Sequence, residues 1–270
     1  MGRRLIYLGG NGHCTARLAP ARQALARLTG TGAVAPFDLF DLSYPGFEGR
    51  PRAPDLDTFL ACLSRGIAGA AGRGGDSLLY ATGIGGLLAL CLRGRGEWQE
   101  IPLLLQAPVL WGLERRLMPR VLRFGLARRL LGRIFAAGWF QRRFARQQFE
   151  RPPSPELRDA FFAGYARCAA LADLFAWVTP RLLRELERQF AARPEGLRRV
   201  GVWWGGRDRV VSLQELAWTE RALHTRWPVR IFPAWGHYPM LDAPEDWVRN
   251  LADVLAAPEA LPGPVGAQAR

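Results

Sequence analysis

The stretch from Ser77 to Leu90, SLLYATGIGGLLAL, decides the fold. It opens as an apolar run with the length of a buried strand, and it closes as an apolar run long enough to begin a helix. The glycines between these runs, Gly83, Gly85 and Gly86, allow a sharp backbone turn and close packing of the flanking chain. We therefore predict a buried strand, a tight turn and a helix.

Two later stretches pass from a strand into a loop that carries a polar side chain. VWWGGRDRVV, residues 202–211, runs from a buried strand into a turn that contains Asp208. FPAWGHYPMLDAPEDW, residues 232–247, has His237 after a strand and before a helix. The order along the chain is therefore glycine turn, acid, histidine.

These three motifs, in this order, resemble the α/β-hydrolase family. The first resembles the family's nucleophile elbow, G-x-S-x-G, with Gly83 at the position of the serine and Ala81 at the first glycine. The resemblance implies that Asp208 and His237 are the acid and the base of a catalytic triad. Because glycine has no side chain, the triad lacks its nucleophile.

A fourth stretch, LIYLGGNGHC at residues 5–14, resembles the family's glycine-rich loop, which donates a backbone N–H to the oxyanion hole. The resemblance implies that Asn11 and Ile84 are the two backbone donors and that Gly10 lines the pocket. Thr82 is a further pocket candidate, but a structural role is favoured because it precedes the nucleophile position by one residue.

One other nucleophile is suggested by the same loop, where Cys14 follows His13. A cysteine paired with a histidine is a known nucleophile. Adjacent residues rarely turn their side chains towards each other, so we favour a structural role for Cys14.

Short apolar runs alternate with helical patterns over the rest of the chain, which is typical of a mostly parallel sheet flanked by helices. We predict one α/β domain, with the α/β-hydrolase fold, over residues 1–256. The predicted strands are 5–8, 35–42, 77–81, 101–106, 200–204 and 229–233. The predicted helices are 15–28, 56–71, 85–92, 213–223 and 245–255.

Between the fourth and fifth predicted strands, residues of about 108–193 have a helical pattern interrupted by prolines. This pattern predicts a helical cap inserted into the domain. Trp111 and Trp139, within the cap, are candidates for the apolar wall of a pocket. Residues 257–270, rich in Ala, Pro and Gly, are predicted to be a flexible tail.

Positive charge is concentrated in the predicted cap. The net charge is +13, and residues 114–151 contain eleven arginines and two glutamates. This segment interleaves arginine with apolar residues, which leaves three readings open: a solvated face, a site for an anionic substrate such as an acyl-CoA or a phosphate ester, or a membrane-surface helix. The chain contains no lysine, which indicates a genome-level bias towards arginine, so the high charge is weak evidence for nucleic-acid binding and we expect no nucleic acid partner.

Composition excludes several other classes of protein. No apolar run approaches the length of a spanning helix, and the first residues lack the pattern of a signal peptide, so we expect a cytoplasmic protein. The four cysteines have neither disulfide nor metal-site spacing. We expect no metal and no cofactor.

Two functions remain open for a hydrolase-like site without serine. In the first, the protein is an enzyme that acts on a small apolar ester, acyl or carbonyl compound. His237 then deprotonates a water molecule at Gly83, or the substrate itself as in a lyase or a cofactor-free oxygenase. In the second, the protein is catalytically inactive and its pocket binds a small ligand or a partner.

Overall fold

The computed structural model describes residues 2–71, 77–113, 116, 120–121, 124, 126–127, 130, 133–134, 137–150, 152–166, 168, 170–257 and 261. Within these residues, six strands form one sheet in the order β2-β1-β3-β4-β5-β6, and every neighbouring pair is parallel. The strands are β1 (Arg3–Leu8), β2 (Phe37–Asp41), β3 (Ser77–Thr82), β4 (Leu103–Gln106), β5 (Val200–Gly205) and β6 (Val229–Phe232).

Helices flank this sheet. The helices of the described residues are α1 (Ala19–Gly30), α2 (Leu56–Ala71), α3 (Ile84–Gly94), α4 (Gly138–Gln148), α5 (Pro155–Ala166), α6 (Leu171–Trp177), α7 (Pro180–Ala192), α8 (Leu213–Ala222), α9 (Pro239–Asp242) and α10 (Pro244–Ala256). Short 3-10 helices occupy Thr15–Leu18 and Pro194–Leu197. Helices α4 to α7 lie between β4 and β5 in the chain.

The strand order fixes where a site can form. After β1 the chain moves outward to β2, and then it returns to the other side of β1 to form β3. The loops after β1 and β3 therefore leave the sheet in opposite directions and open a crevice at the carboxyl ends of these strands. Both glycine-rich stretches of the sequence end at this crevice.

The predicted α/β architecture is confirmed, and the ends of its elements differ where prolines intervene. Strand β4 begins at Leu103 because Pro102 has no N–H to donate to the sheet. The predicted helix 15–28 begins as a 3-10 turn, and α1 starts only at Ala19, with Pro20 in its first turn. The predicted limits of the domain and cap stay predictions, and the predicted tail lies almost entirely outside the described residues.

A buried polar chain supports the sheet below the crevice. Trp247 of α10 donates from Nε1 to the hydroxyl of Tyr80 at 2.8 Å, and Tyr80 donates to Oε1 of Gln106 at 3.2 Å. These three side chains are buried. The hydrogen bonds link α10 to β3, which leads into the predicted elbow, and to the neighbouring strand β4.

Glycine is required where α3 packs on β1. A Cβ atom at Gly85 would lie 2.6 Å from the carbonyl oxygen of Leu8 and 2.7 Å from that of Gly9, which are backbone atoms that cannot move aside. A Cβ at Gly86 would lie 2.9 Å from Cβ of Pro108. The first turn of α3 thus sits closer to β1 and to the chain after β4 than any larger residue permits.

We expect Gly85→Ala to lower the free energy of unfolding by about 2 kcal/mol or more, because the added methyl overlaps backbone oxygens. Gly69→Ala, in the exposed part of α2 with open space around its Cβ, is the matched control and should be neutral or slightly stabilising. Urea denaturation of both variants measures the difference. Equal stabilities would contradict the close approach of α3 to β1.

Candidate active site

The turn after β3 holds Gly83 in an unusual backbone conformation, with φ 53° and ψ −124°. Its N–H donates to the carbonyl oxygen of Gln106 at 3.3 Å, and its own carbonyl accepts from the N–H groups of Gly86 and Val109, at 3.1 and 3.0 Å. Residues other than glycine rarely adopt this conformation. Glycine therefore relieves the turn of strain, although it supplies no nucleophile.

The loops after β5 and β6 touch through their backbones. A Cβ at Gly205 would overlap the carbonyl oxygens of Trp235 and Gly236, so only glycine allows this contact. The N–H of Arg207 donates to the carbonyl of Trp235 at 3.0 Å. The glycines that precede Asp208 thus bring the acid-bearing loop against the histidine-bearing loop.

This contact pairs Asp208 with His237. The Nδ1 atom of His237 lies 2.8 Å from Oδ2 of Asp208, and the two side chains are 4% and 0% exposed. The other carboxylate oxygen, Oδ1, accepts from the backbone N–H groups of Val210 and Val211, at 2.7 and 3.0 Å. With Nδ1 held by the carboxylate, Nε2 is the ring nitrogen that can take up a proton.

Competing effects set the charge of Asp208. Burial acts to raise the pKa of this carboxyl, whereas the charge of His237 and the hydrogen bonds from His237, Val211 and Val210 act to lower it. The lowering effects prevail, so the pKa lies below its ordinary value. Asp208 is therefore a carboxylate at neutral pH and can stabilise an imidazolium on His237.

A cavity of about 360 Å³ opens at the crevice between the loops after β1 and β3. It brings together five of the predicted site residues: Gly10, Asn11, Gly83, Ile84 and His237. Much of the remaining wall is apolar, from Val109, Leu113, Phe144, Leu171, Phe175 and Val210. The histidine thus faces a chamber suited to a small apolar compound.

Hydrogen-bond donors converge on the same cavity. Among the described residues, the backbone N–H of Asn11 has no acceptor, and Ile84 is the first residue of α3, where no earlier turn offers one. The side chain of Asn11 accepts from the N–H of Gly12 at 3.0 Å through Oδ1, and its buried Nδ2 has no partner. A carbonyl oxygen placed here would find up to three donors.

Three predicted pocket residues lie outside the cavity lining. The hydroxyl of Thr82 is 3.1 Å from that of Tyr7 in the core, which agrees with its position one residue before the turn. Trp111 is turned away and donates from Nε1 to Glu187 at 2.7 Å. Trp139 lies on α4 with 62% of its surface exposed, so it does not form a wall of this cavity.

The loop after β1 carries a second histidine–carboxylate pair that the sequence analysis missed. Nε2 of His13 lies 2.7 Å from Oδ1 of Asp41, and both side chains are buried. Cys14 instead directs its sulfur to the carbonyl of Ala160 at 3.4 Å, so it does not pair with His13. The signal that could have indicated this pair is that β1 and β2 are parallel neighbours, because this brings the residues at their carboxyl ends together.

Arg17, whose role the sequence did not indicate, supports the loop after β1. It is 3% exposed, donates to the carbonyls of Asn11 and Phe161 at 3.3 and 3.0 Å, and lies 4.0 Å from the Phe161 ring centroid. Tyr165, 4.7 Å from it, lines the cavity. Arg17 therefore joins the loop after β1 to α5, and its hydrogen bond to the Asn11 carbonyl fixes that residue's orientation.

A tight glycine turn after a central strand, with the acid and the histidine on the loops after the last two strands, is the arrangement of an α/β hydrolase. The chain belongs to the alpha/beta hydrolase family, whose sequence profile matches residues 6–251. This match and the all-parallel sheet confirm the predicted family and fold.

Solved structures of similar fold have a range of activities. A putative aryl esterase from Burkholderia cenocepacia is 16% identical with a TM-score of 0.68, over 96% of this chain and 92% of that one. A loop variant of a haloalkane dehalogenase from Bradyrhizobium elkanii is 20% identical with a TM-score of 0.67, over 96% and 90%. A bacterial membrane phospholipase A is 21% identical with a TM-score of 0.66, over 96% and 80%.

No curated protein matches the sequence significantly. Within the described ranges, every helix is too short or too polar to cross a lipid bilayer.

Gly83→Ser should complete a triad with His237 and Asp208. A Cβ at this position would lie 3.7 Å from Cα of Gly10 and 4.0 Å from Cγ2 of Val109, so the side chain fits. We expect the hydrolysis of p-nitrophenyl butyrate to rise about 100-fold or more over that of the wild type, because a serine nucleophile working with the histidine supplies most of a hydrolase's rate. The rate at which the purified proteins release p-nitrophenol measures this gain.

Gly83→Ala and the double variant with Gly83→Ser and His237→Ala are the controls, and neither should gain activity. The positive φ at residue 83 should make each variant at this position less stable, by about 1 to 3 kcal/mol. A folded Gly83→Ser protein with no gain in rate would mean that residue 83 and His237 are not aligned for nucleophilic attack.

Asp208 should make stability depend on pH in the acid range. Its pKa is lowered in the folded protein, so its stabilising contribution is complete above the unfolded value of about 3.9 and is lost as pH falls through the lower folded value. We expect Asp208→Asn to be less stable at pH 7 and to lose less stability than the wild type between pH 5 and the acid limit. Urea denaturation at several pH values measures the free energy of unfolding of both proteins. If it fell by the same amount with pH in the wild type and in Asp208→Asn, the prediction would be wrong.

Proposed function

We propose that the protein hydrolyses a small apolar ester or acyl compound in the cavity at Gly83, with His237 as general base and no serine nucleophile. The observation that carries the proposal is the lining of the cavity, in which a histidine held by a buried carboxylate faces a position without a side chain. There is room for a water oxygen there, because even a Cβ would have only ordinary contacts.

The proposed reaction begins at Nε2 of His237, which takes a proton from water as the water oxygen attacks the acyl carbon. The carbonyl oxygen becomes an oxyanion, and the backbone N–H groups of Asn11 and Ile84 stabilise it. Collapse of this intermediate breaks the bond to the leaving group, which takes the proton from the imidazolium. Asp208 stabilises the imidazolium throughout.

Neutral hydroxyl groups complete the polar part of the cavity. Burial, above all, raises the pKa of Tyr165 and holds that of Tyr238 well above its ordinary value. Both residues line the cavity and remain uncharged at neutral pH. They add no charge to the cavity, so an uncharged acyl portion suits the interior.

The mouth of the cavity carries arginine. Arg116 and Arg209 line it, and Arg116 is already paired with Glu215. Arg209 is 60% exposed, and the carboxylate near it within the described part of the chain is that of Glu150, at 3.8 Å. These positions favour a substrate whose acyl part is apolar and whose leaving group is anionic.

The competing function is binding without catalysis, and the glycine at the nucleophile position is what favours it. In that case His237 and Asp208 would serve only to join the two loops.

Turnover of a panel of p-nitrophenyl esters and thioesters by the wild type and by His237→Ala separates these functions. The wild type should be faster by about 100-fold or more, which is the usual contribution of a general base. Asp208→Asn should also be slow, because the histidine loses its orientation and the partner of its charged form.

His224→Ala, prepared in the same way, controls for contaminating esterases and for the loss of a histidine far from the cavity. It should retain the wild-type rate. Equal rates in the wild type and His237→Ala would exclude the proposed hydrolysis and leave ligand binding.

A further inference from the structure

A second depression, of about 480 Å³, lies beside the cavity and is lined by four arginines: Arg142, Arg146, Arg158 and Arg209. We call these four residues the arginine groove. Ala145, Phe149, Pro152 and Pro153 provide an apolar floor, and Glu150 is the acidic residue among the described lining. The groove therefore combines strong positive charge with a surface on which an organic group can rest.

Helix α4 forms the wall between the groove and the cavity. Phe144, Gln147 and Gln148 line the cavity, whereas Arg142, Ala145, Arg146 and Phe149 line the groove. Each set has the spacing of three and four residues that places side chains on one face of a helix. One face of α4 therefore lines the cavity, and an adjacent face carries the arginines that line the groove.

The positive charge of the groove is only partly neutralised within the protein. Glu150 lies 2.9 Å from Arg207 and 3.8 Å from Arg209, and Arg158 pairs with the exposed Asp159 at 3.1 Å. Among the described residues, Arg142 and Arg146 have no carboxylate partner. They stand one turn apart on α4, where like charges repel. An anion bound between them would offset this repulsion.

Arg209 connects the arginine groove to the cavity. It lines both the groove and the cavity, and it follows Asp208 directly in the chain. A molecule that reaches from the groove past Arg209 therefore enters the cavity beside the His237–Asp208 pair.

We propose that the arginine groove binds the phosphate group of the substrate, so that the substrate is a phosphate-bearing ester or thioester whose acyl chain occupies the cavity. This rests on the proposed function, because it takes the group in the cavity to be acyl. Phosphate is favoured over a carboxylate because its several oxygens can accept from more than one planar guanidinium at once. The apolar floor suits the organic part that carries the phosphate.

The test is direct binding, measured by isothermal titration calorimetry with three soluble probes, with every protein carrying His237→Ala so that the proposed hydrolysis contributes no heat. Hexanoyl-coenzyme A and hexyl phosphate carry phosphate, and hexanoyl-pantetheine has the same thioester as the first probe but no phosphate. We expect hexanoyl-coenzyme A to bind at least about tenfold more tightly than hexanoyl-pantetheine, which corresponds to one charge-assisted interaction or more. The difference should shrink as salt is raised, since exposed charges are screened.

Arg142→Gln with Arg146→Gln removes the two unpaired charges and should abolish this preference. Arg184→Gln with Arg188→Gln is the matched control, because these exposed arginines have the same spacing on α7 and lie outside the groove. The control should bind like the wild type. The control pair lies outside the cavity lining as well, so with His237 intact its hydrolysis of uncharged esters should not change.

Equal affinities for the two thioesters, or equal losses in both double variants, would overturn the proposal. Flotation with phosphatidylglycerol vesicles distinguishes the source of the phosphate. Binding of vesicles but of neither soluble phosphate probe would mean that the arginines serve a membrane surface, and this too would overturn it. Binding is measured without turnover, so the two proposals can fail separately. If the protein prefers the phosphate-bearing thioester but hydrolyses no ester, the proposed hydrolysis is wrong and the phosphate site stands.

Discussion

The rest of the site depends on the backbone geometry at Gly83. Its φ is 53°, its carbonyl accepts two hydrogen bonds, and α3 begins directly after it against β1. Gly85 leaves no room for the first turn of α3 to shift, because Leu8 and Gly9 oppose it with backbone oxygens. The turn is therefore set by packing on both sides. Glycine at position 83 holds this conformation without the strain that another residue would carry there.

Several buried polar groups surround the cavity at an energetic cost. A buried ion pair is weak evidence for stability, because apolar side chains of similar volume often serve as well. Yet Asp208 has every carboxylate oxygen satisfied, Arg17 is held by carbonyls and aromatic rings, and His13 is paired with Asp41. Together these contacts fix the positions of the loop after β1 and of the His237 imidazole.

Local pattern sufficed for much of this structure. All six strands, the turn at Gly83 and the positions of Asp208 and His237 after their strands followed from short runs of sequence. The His13–Asp41 pair and the contacts of Arg17 depend on which strands and helices become neighbours, over separations of 28 and 144 residues. Trp111 and Trp139 were ambiguous because an aromatic residue at helical spacing suits a core, a surface or a pocket.

The central claim is that the acyl transfer goes directly to water. Intact-mass spectrometry of the protein quenched during turnover of a p-nitrophenyl ester, together with the first seconds of product release, tests it most directly. If water attacks the acyl carbon directly, the protein keeps its mass and product is released linearly from the first turnover. A burst of product with a protein heavier by one acyl group would contradict it, and so would the absence of any turnover.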